Sequence, residues 1–133
     1  MRAIADTGFL VAFANRREKH FAWAYSLAQQ IQEPLPTCEA VLAETAFHLN
    51  DSALVLEMLG KGLVRLAFDP ESNRAELSQL ARRCADRHPD LADLCLIRMS
   101  ELFPDHPVIT VDGDFQVYRR NRRAVIPLIM PPE

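Results

Sequence analysis

Short apolar runs set between long stretches of helical periodicity constrain this chain more than any other feature. The clearest run is Val108-Ile-Thr-Val-Asp-Gly-Asp-Phe115, a β-branched stretch that ends in two aspartates around a glycine. Arg2-Ala-Ile-Ala-Asp-Thr-Gly8 has the same shape. Leu35 to Thr37, Leu63 to Phe68 and Val125 to Ile129 read as three more strands. Between them, helical spacing predicts helices over Thr7 to Ala14, His20 to Ile31, Thr37 to Leu49 and Ser52 to Leu59. A long helix opened by Pro70 and another from Asp90 to Leu102 follow, with a short turn or helical segment near Phe115 to Tyr118. The order β-α-α-β-α-α-β-α-α-β-(α)-β predicts an α/β fold whose parallel sheet is covered on both faces. With 133 residues, 49% of them apolar, the chain has enough material for one domain spanning 1–133.

In open parallel sheets the ligand crevice lies outside the carboxyl ends of the strands. Five carboxylates stand at or near such positions: Asp6, Glu44, Asp93, Asp112 and Asp114. Each has an ordinary reading taken alone. Asp6 caps a helix, Glu44 sits on an exposed helix face, Asp90 and Asp93 answer a helix macrodipole, and Asp112-Gly-Asp114 is a turn. Taken together they share one edge of the sheet, with Glu44 joining if its helix crosses that edge. Clustered carboxylates repel and raise one another's pKa, a state that a hard cation relieves. All-oxygen ligation favours Mg²⁺ or Mn²⁺ over Zn²⁺, and Mg²⁺ is commonly completed by phosphate oxygens, which points to a phosphodiester substrate.

The bulk composition narrows the partners. A net charge of −3 argues against a generic polyanion-binding protein. Arg supplies 13 of the 15 cationic residues, and Arg suits bidentate phosphate contacts better than Lys does; a high-GC genome gives the same bias. Cys38, Cys84 and Cys95 show no CxxC spacing, and with no charged n-region and apolar h-region at the start, reduced thiols in a cytoplasmic protein are expected. No apolar run approaches the roughly 18 residues of a membrane span.

Four segments carry a family resemblance: Ile4-Ala-Asp-Thr-Gly-Phe-Leu-Val-Ala12, Pro36-Thr-Cys-Glu-Ala-Val-Leu-Ala-Glu-Thr-Ala46, Asp90-Leu-Ala-Asp-Leu-Cys-Leu-Ile97 and Val108 to Phe115. In order and spacing, with the Phe115-x-Val-Tyr118 tail and Ile126-Pro-Leu, the chain resembles PIN domains, most closely the VapC-type toxin ribonucleases of toxin–antitoxin pairs. The resemblance implies a PIN-like three-layer α/β/α sandwich around a central, mainly parallel five-stranded sheet, with the first strand central and the fourth beside it. It places an acidic tetrad on Asp6, Glu44, Asp93 and Asp112, with Thr7, Thr110 and Asp114 as auxiliaries. Two positions depart from the family pattern: Leu94 stands where Ala is usual, and Gly8 where a small polar residue is common.

The resemblance implies Mg²⁺- or Mn²⁺-dependent hydrolysis of RNA, with a cognate antitoxin and a homodimer as expected partners. Asp6 and Asp93 are the expected direct ligands, and Glu44 and Asp112 act partly through water or as a base. His20, His48, His88 and His106 are scattered; His48, one turn beyond Glu44, is the one near the acids. Arg119, Arg120, Arg122 and Arg123, and also Arg16, Arg17 and Lys19, are candidate phosphate contacts, or else solvated loop charge. The apolar helices carrying Phe9, Phe13, Phe21 and Trp23 are a candidate seat for an antitoxin segment or a second subunit, although Trp23 also suits the core. A phosphoryl-transfer receiver domain would need a lysine at a later strand end, and Lys19 and Lys61 are misplaced for it. A catalytically silent PIN-fold module binding RNA or protein is the alternative.

Overall fold

The computed structural model describes all residues, 1–133. Its element order is β1 (Ile4–Ala5), α1 (Thr7–Ala14), α2 (Phe21–Ala28), β2 (Leu35–Thr37), α3 (Glu39–Leu49), α4 (Ser52–Gly60), β3 (Val64–Leu66), α5 (Arg74–Arg83), α6 (Leu91–Leu102), β4 (Val108–Ile109), β5 (Arg119–Arg120), β6 (Ala124–Val125) and β7 (Leu128–Ile129). Two short 3₁₀ turns, Ala85–Arg87 and Gly113–Gln116, precede α6 and β5. The alternation of strands and helices read from the sequence is therefore present, and β1, β2, β3, β4 and β7 pair in parallel.

The sheet is narrower than the expected five strands. β4 lies between β1 and β7, pairing parallel with both, Ile4 with Val108 and Val108 with Leu128. β2 and β3 form a separate parallel pair. The cause is visible in β2 itself. The Leu35 N–H donates to the Leu63 carbonyl on the β3 side (2.9 Å). Successive amides of a strand point to opposite sides, so the amide at position 36 would face β1, and Pro36 has none to offer. The Thr37 hydroxyl takes over, donating to the Ala5 carbonyl at 2.8 Å with both residues fully buried. β1 and β2 are thus held side by side through a side chain instead of a backbone ladder.

Two further corrections concern the C-terminal segment. The arginine cluster forms an antiparallel hairpin, β5 with β6, whose tip carries left-handed Asn121 (φ 50°) and Arg122 (φ 74°). The expected last strand, Val125 to Ile129, is broken: exposed Val125 belongs to β6, Ile126 is buried, and the strand resumes at Leu128 after Pro127.

Burial explains why the strands can be so short. Ile4, Ala5, Val108 and Ile109 are completely buried. α6 is buried nearly all round, through Ala92, Leu94, Cys95, Leu96, Ile97, Met99 and Ser100, which is the pattern of a helix enclosed by its neighbours. It packs against α3, α5 and β1, while α1 packs against α2 and α3. Phe9 lies fully in the core, edge-on to the half-buried Trp23 (6.2 Å), which lines an open surface pocket with His20 and Leu27. The three cysteines are unpaired thiols. No helix is long and apolar enough to cross a membrane.

Candidate active site

Asp6 is the one buried carboxylate of the chain. It follows β1 directly and caps α1: the Thr7 N–H donates to its Oδ1 (2.6 Å). The Thr110 hydroxyl, at the end of β4, donates to its Oδ2 (2.6 Å). The parallel register of Ala5 with Ile109 brings these two strand ends level. Thr110 in turn accepts the Asp112 N–H (3.0 Å), and Asp112 accepts the Asp114 N–H (2.9 Å), capping the 3₁₀ turn. The capping role considered for Asp6 is therefore real, and it coexists with the site: a cap needs one oxygen, and the second is turned across to β4.

Glu44 reaches the same place from α3. The Thr7 hydroxyl donates to its Oε2 (3.2 Å). Asp93 comes from the first turn of α6, where it forms a reciprocal capping box with Asp90: the Asp93 N–H donates to Asp90 Oδ1 (2.9 Å) and the Asp90 N–H to Asp93 Oδ2 (3.4 Å). The buried Tyr118 hydroxyl approaches Asp93 Oδ2 from below (3.5 Å). Asp6, Glu44, Asp90, Asp93 and Asp112 line one open cleft of about 310 Å³ with Thr7, Gly8, Val11, His48 and Val111. All four acids of the expected tetrad are thus brought to one cleft, with Thr7 lining it and Thr110 behind Asp6. Asp114 is not in the lining; it turns outward to an ion pair with Arg87 (3.6 Å).

Asp90, which in sequence reads only as part of an acidic helical turn, is a fifth acid of the cleft. A hydrophilic residue one turn ahead of Asp93 looks like any N-cap, and its approach to Glu44 depends on how α3 and α6 pack.

The electrostatics record unbalanced negative charge. Burial, with Asp112 and Asp90 adding repulsion, raises Asp6 to about 6 against the lowering effect of its hydrogen bonds. Glu44 is raised to about 7 by burial and by Asp90. Asp93 is raised to about 7, again by burial first and Asp90 second. No Lys or Arg lines the cleft. An all-oxygen donor set carrying this much uncompensated charge suits a hard divalent cation. No three of the acids, histidines or cysteines are already gathered into a ligand shell. A cation held here would draw on rotation of Glu44, Asp90 or Asp93, or keep waters between itself and some of the acids, as Mg²⁺ commonly does.

The expected phosphate contacts are distributed differently. Arg119 spends its Nη1 on the carbonyls of Gln116, Val117 and Tyr118. Arg120 donates to the carbonyls of Ser100 (2.6 Å) and Pro104 (3.2 Å), fastening the hairpin to the end of α6. Arg122 and Arg123 are exposed at the hairpin tip, and Arg16, Arg17 and Lys19 are exposed after α1. None of these seven lines the cleft. His48 does, and beside it the Phe47 ring is 81% exposed, the most exposed large apolar side chain of the chain.

Leu94 and Gly8 each have a defined packing environment. Leu94 points away from the acids, lining a groove with Leu77, Ala81 and Leu91. Gly8 is in close contact with Val111: a β-carbon at position 8 would overlap the Val111 Cγ2 methyl. Gly8→Ala is therefore expected to lower stability in urea denaturation by about 1–3 kcal/mol. Val111→Ala in the same chain should restore most of the loss; an equally unstable double variant would place the cost elsewhere.

Neither a scan against protein-family models nor a search of curated proteins finds a match for this chain.

Proposed function

We propose that the chain is a Mg²⁺- or Mn²⁺-dependent endoribonuclease of the PIN type, acting as the toxin of a toxin–antitoxin pair. The observation that carries the nuclease reading is the convergence of Asp6, Glu44, Asp93 and Asp112, with Asp90, on one cleft free of cationic side chains. The three-stranded parallel sheet and the β2–β3 pair are joined across the Thr37 hydroxyl bond. The toxin assignment and the expected homodimer rest on the resemblance of the four acidic segments.

Asp6, Asp93, Glu44 and Asp112 are the residues that would hold the cation. When bound, it would supply Lewis-acid stabilisation of phosphoryl charge and make water a stronger nucleophile at neutral pH. The protein's own part is positioning. Asp6 is fixed at both oxygens by Thr7 and Thr110, so it defines the origin of the site. Glu44 is held by a single hydroxyl bond, which leaves its carboxylate free to turn toward a water and take its proton. The Tyr118 hydroxyl and the Asp90 N–H both approach Asp93 Oδ2, at 3.5 and 3.4 Å.

Incubation with a panel of structured RNAs in Mn²⁺ or Mg²⁺, with and without chelator, tests the reading. Cleavage that chelator abolishes is expected; cleavage that survives chelator would overturn the metal-dependent mechanism. Binding without cleavage under any metal would favour the silent RNA-binding module. Phe47, exposed and packed edge-on against His48 of the cleft (5.7 Å), offers a face for an unpaired base. Phe47→Ala should weaken RNA binding to an Asp6→Asn chain by about 1–3 kcal/mol in fluorescence anisotropy; unchanged affinity would remove the ring from the RNA path.

A further inference from the structure

At the other end of the strands lies a second polar cluster that the acidic cleft does not use. Arg2 stands just before β1, Arg65 in β3, and His106 in the loop that enters β4. With Ala3, Glu33 and the turn at Pro34 they line a small cavity of about 60 Å³. By the roughly 10–15 Å³ that one water requires, this is room for a few waters or for one tetrahedral oxyanion.

Three observations point to an anion. First, His106 Nδ1 is buried and makes no hydrogen bond, and orphaned buried polar atoms are rare enough in folded proteins to require an explanation. Second, Arg2 and Arg65 are exposed and neither forms an ion pair nor donates a hydrogen bond within the protein, so both guanidiniums are open to a ligand as they are to solvent. Arg119 Nη1 and Arg120 Nη1 and Nη2, by contrast, donate to backbone carbonyls, although Arg120 Nε is the second buried atom without a partner. Third, the cluster is braced before any ligand arrives. The Arg65 guanidinium lies over the Phe103 ring (5.9 Å), and the His106 ring packs against the same ring (5.3 Å). Burial and then the two guanidiniums hold the His106 pKa below its ordinary value, and the acids facing it, Asp105 and Glu33, do not offset them. The cavity lining sets Arg2 and Arg65 against the single acid Glu33, which leaves an excess of positive charge.

We propose that Arg2, Arg65 and His106 form a binding site for one tetrahedral oxyanion of the phosphate class, at the strand end opposite the acidic cleft. The planar guanidiniums would present paired N–H donors to phosphate oxygens, and the anion would give His106 Nδ1 its missing partner. Free inorganic phosphate and the terminal phosphate of a nucleotide offer the same chemistry. The site is independent of the nuclease reading, since no residue of the cleft takes part.

The test is histidine-imidazole NMR on the chelator-treated protein at constant ionic strength, so that no cation in the cleft captures the anion. One arm titrates inorganic phosphate, a second a nucleoside 5′-monophosphate, and a third the unphosphorylated nucleoside. The expected result is a saturable shift of the His106 resonances and a rise in its pKa, with His20, His48 and His88 unmoved. Saturation with both phosphates, or with one alone, supports the site and names the source. Arg65→Gln and Arg2→Gln should each weaken binding by about tenfold or more, while Arg65→Lys, which keeps the charge, loses less and controls for misfolding. A linear, non-saturating shift, an equal response to the unphosphorylated nucleoside, or unchanged affinity in the folded Gln variants would overturn the proposal.

Discussion

Asp6→Asn is expected to reduce metal-dependent RNA cleavage by more than about 100-fold, while making the metal-free protein more stable at pH 8. The two effects come from one carboxylate. Loss of groups that merely orient a metal ligand commonly costs 10–100-fold, and Asp6 is the oriented ligand itself, fixed by Thr7 and Thr110. Its stability effect has the opposite sign because burial raises its pKa to about 6, so at pH 8 the folded chain carries a buried charge it would shed. Asparagine removes that charge, and although its amide group cannot accept both hydrogen bonds, a gain on the order of 1–2 kcal/mol remains. The expected rise in Tm is about 3–8 °C. A variant that is inactive and less stable would indicate that Asp6 serves the fold first.

The second large effect is the pH dependence of the metal-free protein. Asp6, Glu44 and Asp93 all bind protons more tightly when folded, with pKa values of about 6, 7 and 7 against 3.8, 4.5 and 3.8 for the unfolded chain. Folding is therefore favoured by protonation. The penalty for these charges is absent below about pH 4, grows between pH 4 and 7, and is complete above it. Thermal unfolding should show Tm rising as pH falls from 8 to 5.5, the reverse of a protein whose acids are paired. Saturating Mn²⁺ should remove most of this slope, because the cation and the protons compete for the same oxygens, and its affinity should weaken over the same interval. A flat profile without metal would mean that the acids are compensated by something other than a cation.

The alternation of strands and helices was legible because two periodicities, near 2 and near 3.6, separate cleanly along the chain. The positions of Asp6 and Asp112 were legible for the same reason: a strand end is visible in sequence, and parallel topology aligns strand ends. Glu44 was harder, since its spacing alone suits an exposed face, and only the packing of α3 on α1 turns it toward Thr7. Asp90 was hidden by its double role, being a genuine N-cap as well as a member of the cleft. The gap between β1 and β2 had a sequence signal in Pro36, whose missing amide faces β1, but reading it required knowing which neighbour that amide would face. The hairpin had no local signal. Arg120 reads as a solvated loop charge until the end of α6 supplies Ser100 and Pro104 carbonyls for it, and Asn121 reaches its left-handed conformation with its N–H on Glu101 (2.7 Å).

The claim on which the rest depends is that the five-acid cleft is a divalent-cation site. Titration of Mn²⁺ into the isotopically labelled protein, read as paramagnetic broadening of backbone amides, tests it most directly. Broadening should begin at substoichiometric metal and centre on Asp6, Thr7, Asp93 and Asp112, and it should vanish in Asp6→Asn. Broadening centred elsewhere, or none up to millimolar Mn²⁺, would contradict the cation site and with it the nuclease reading.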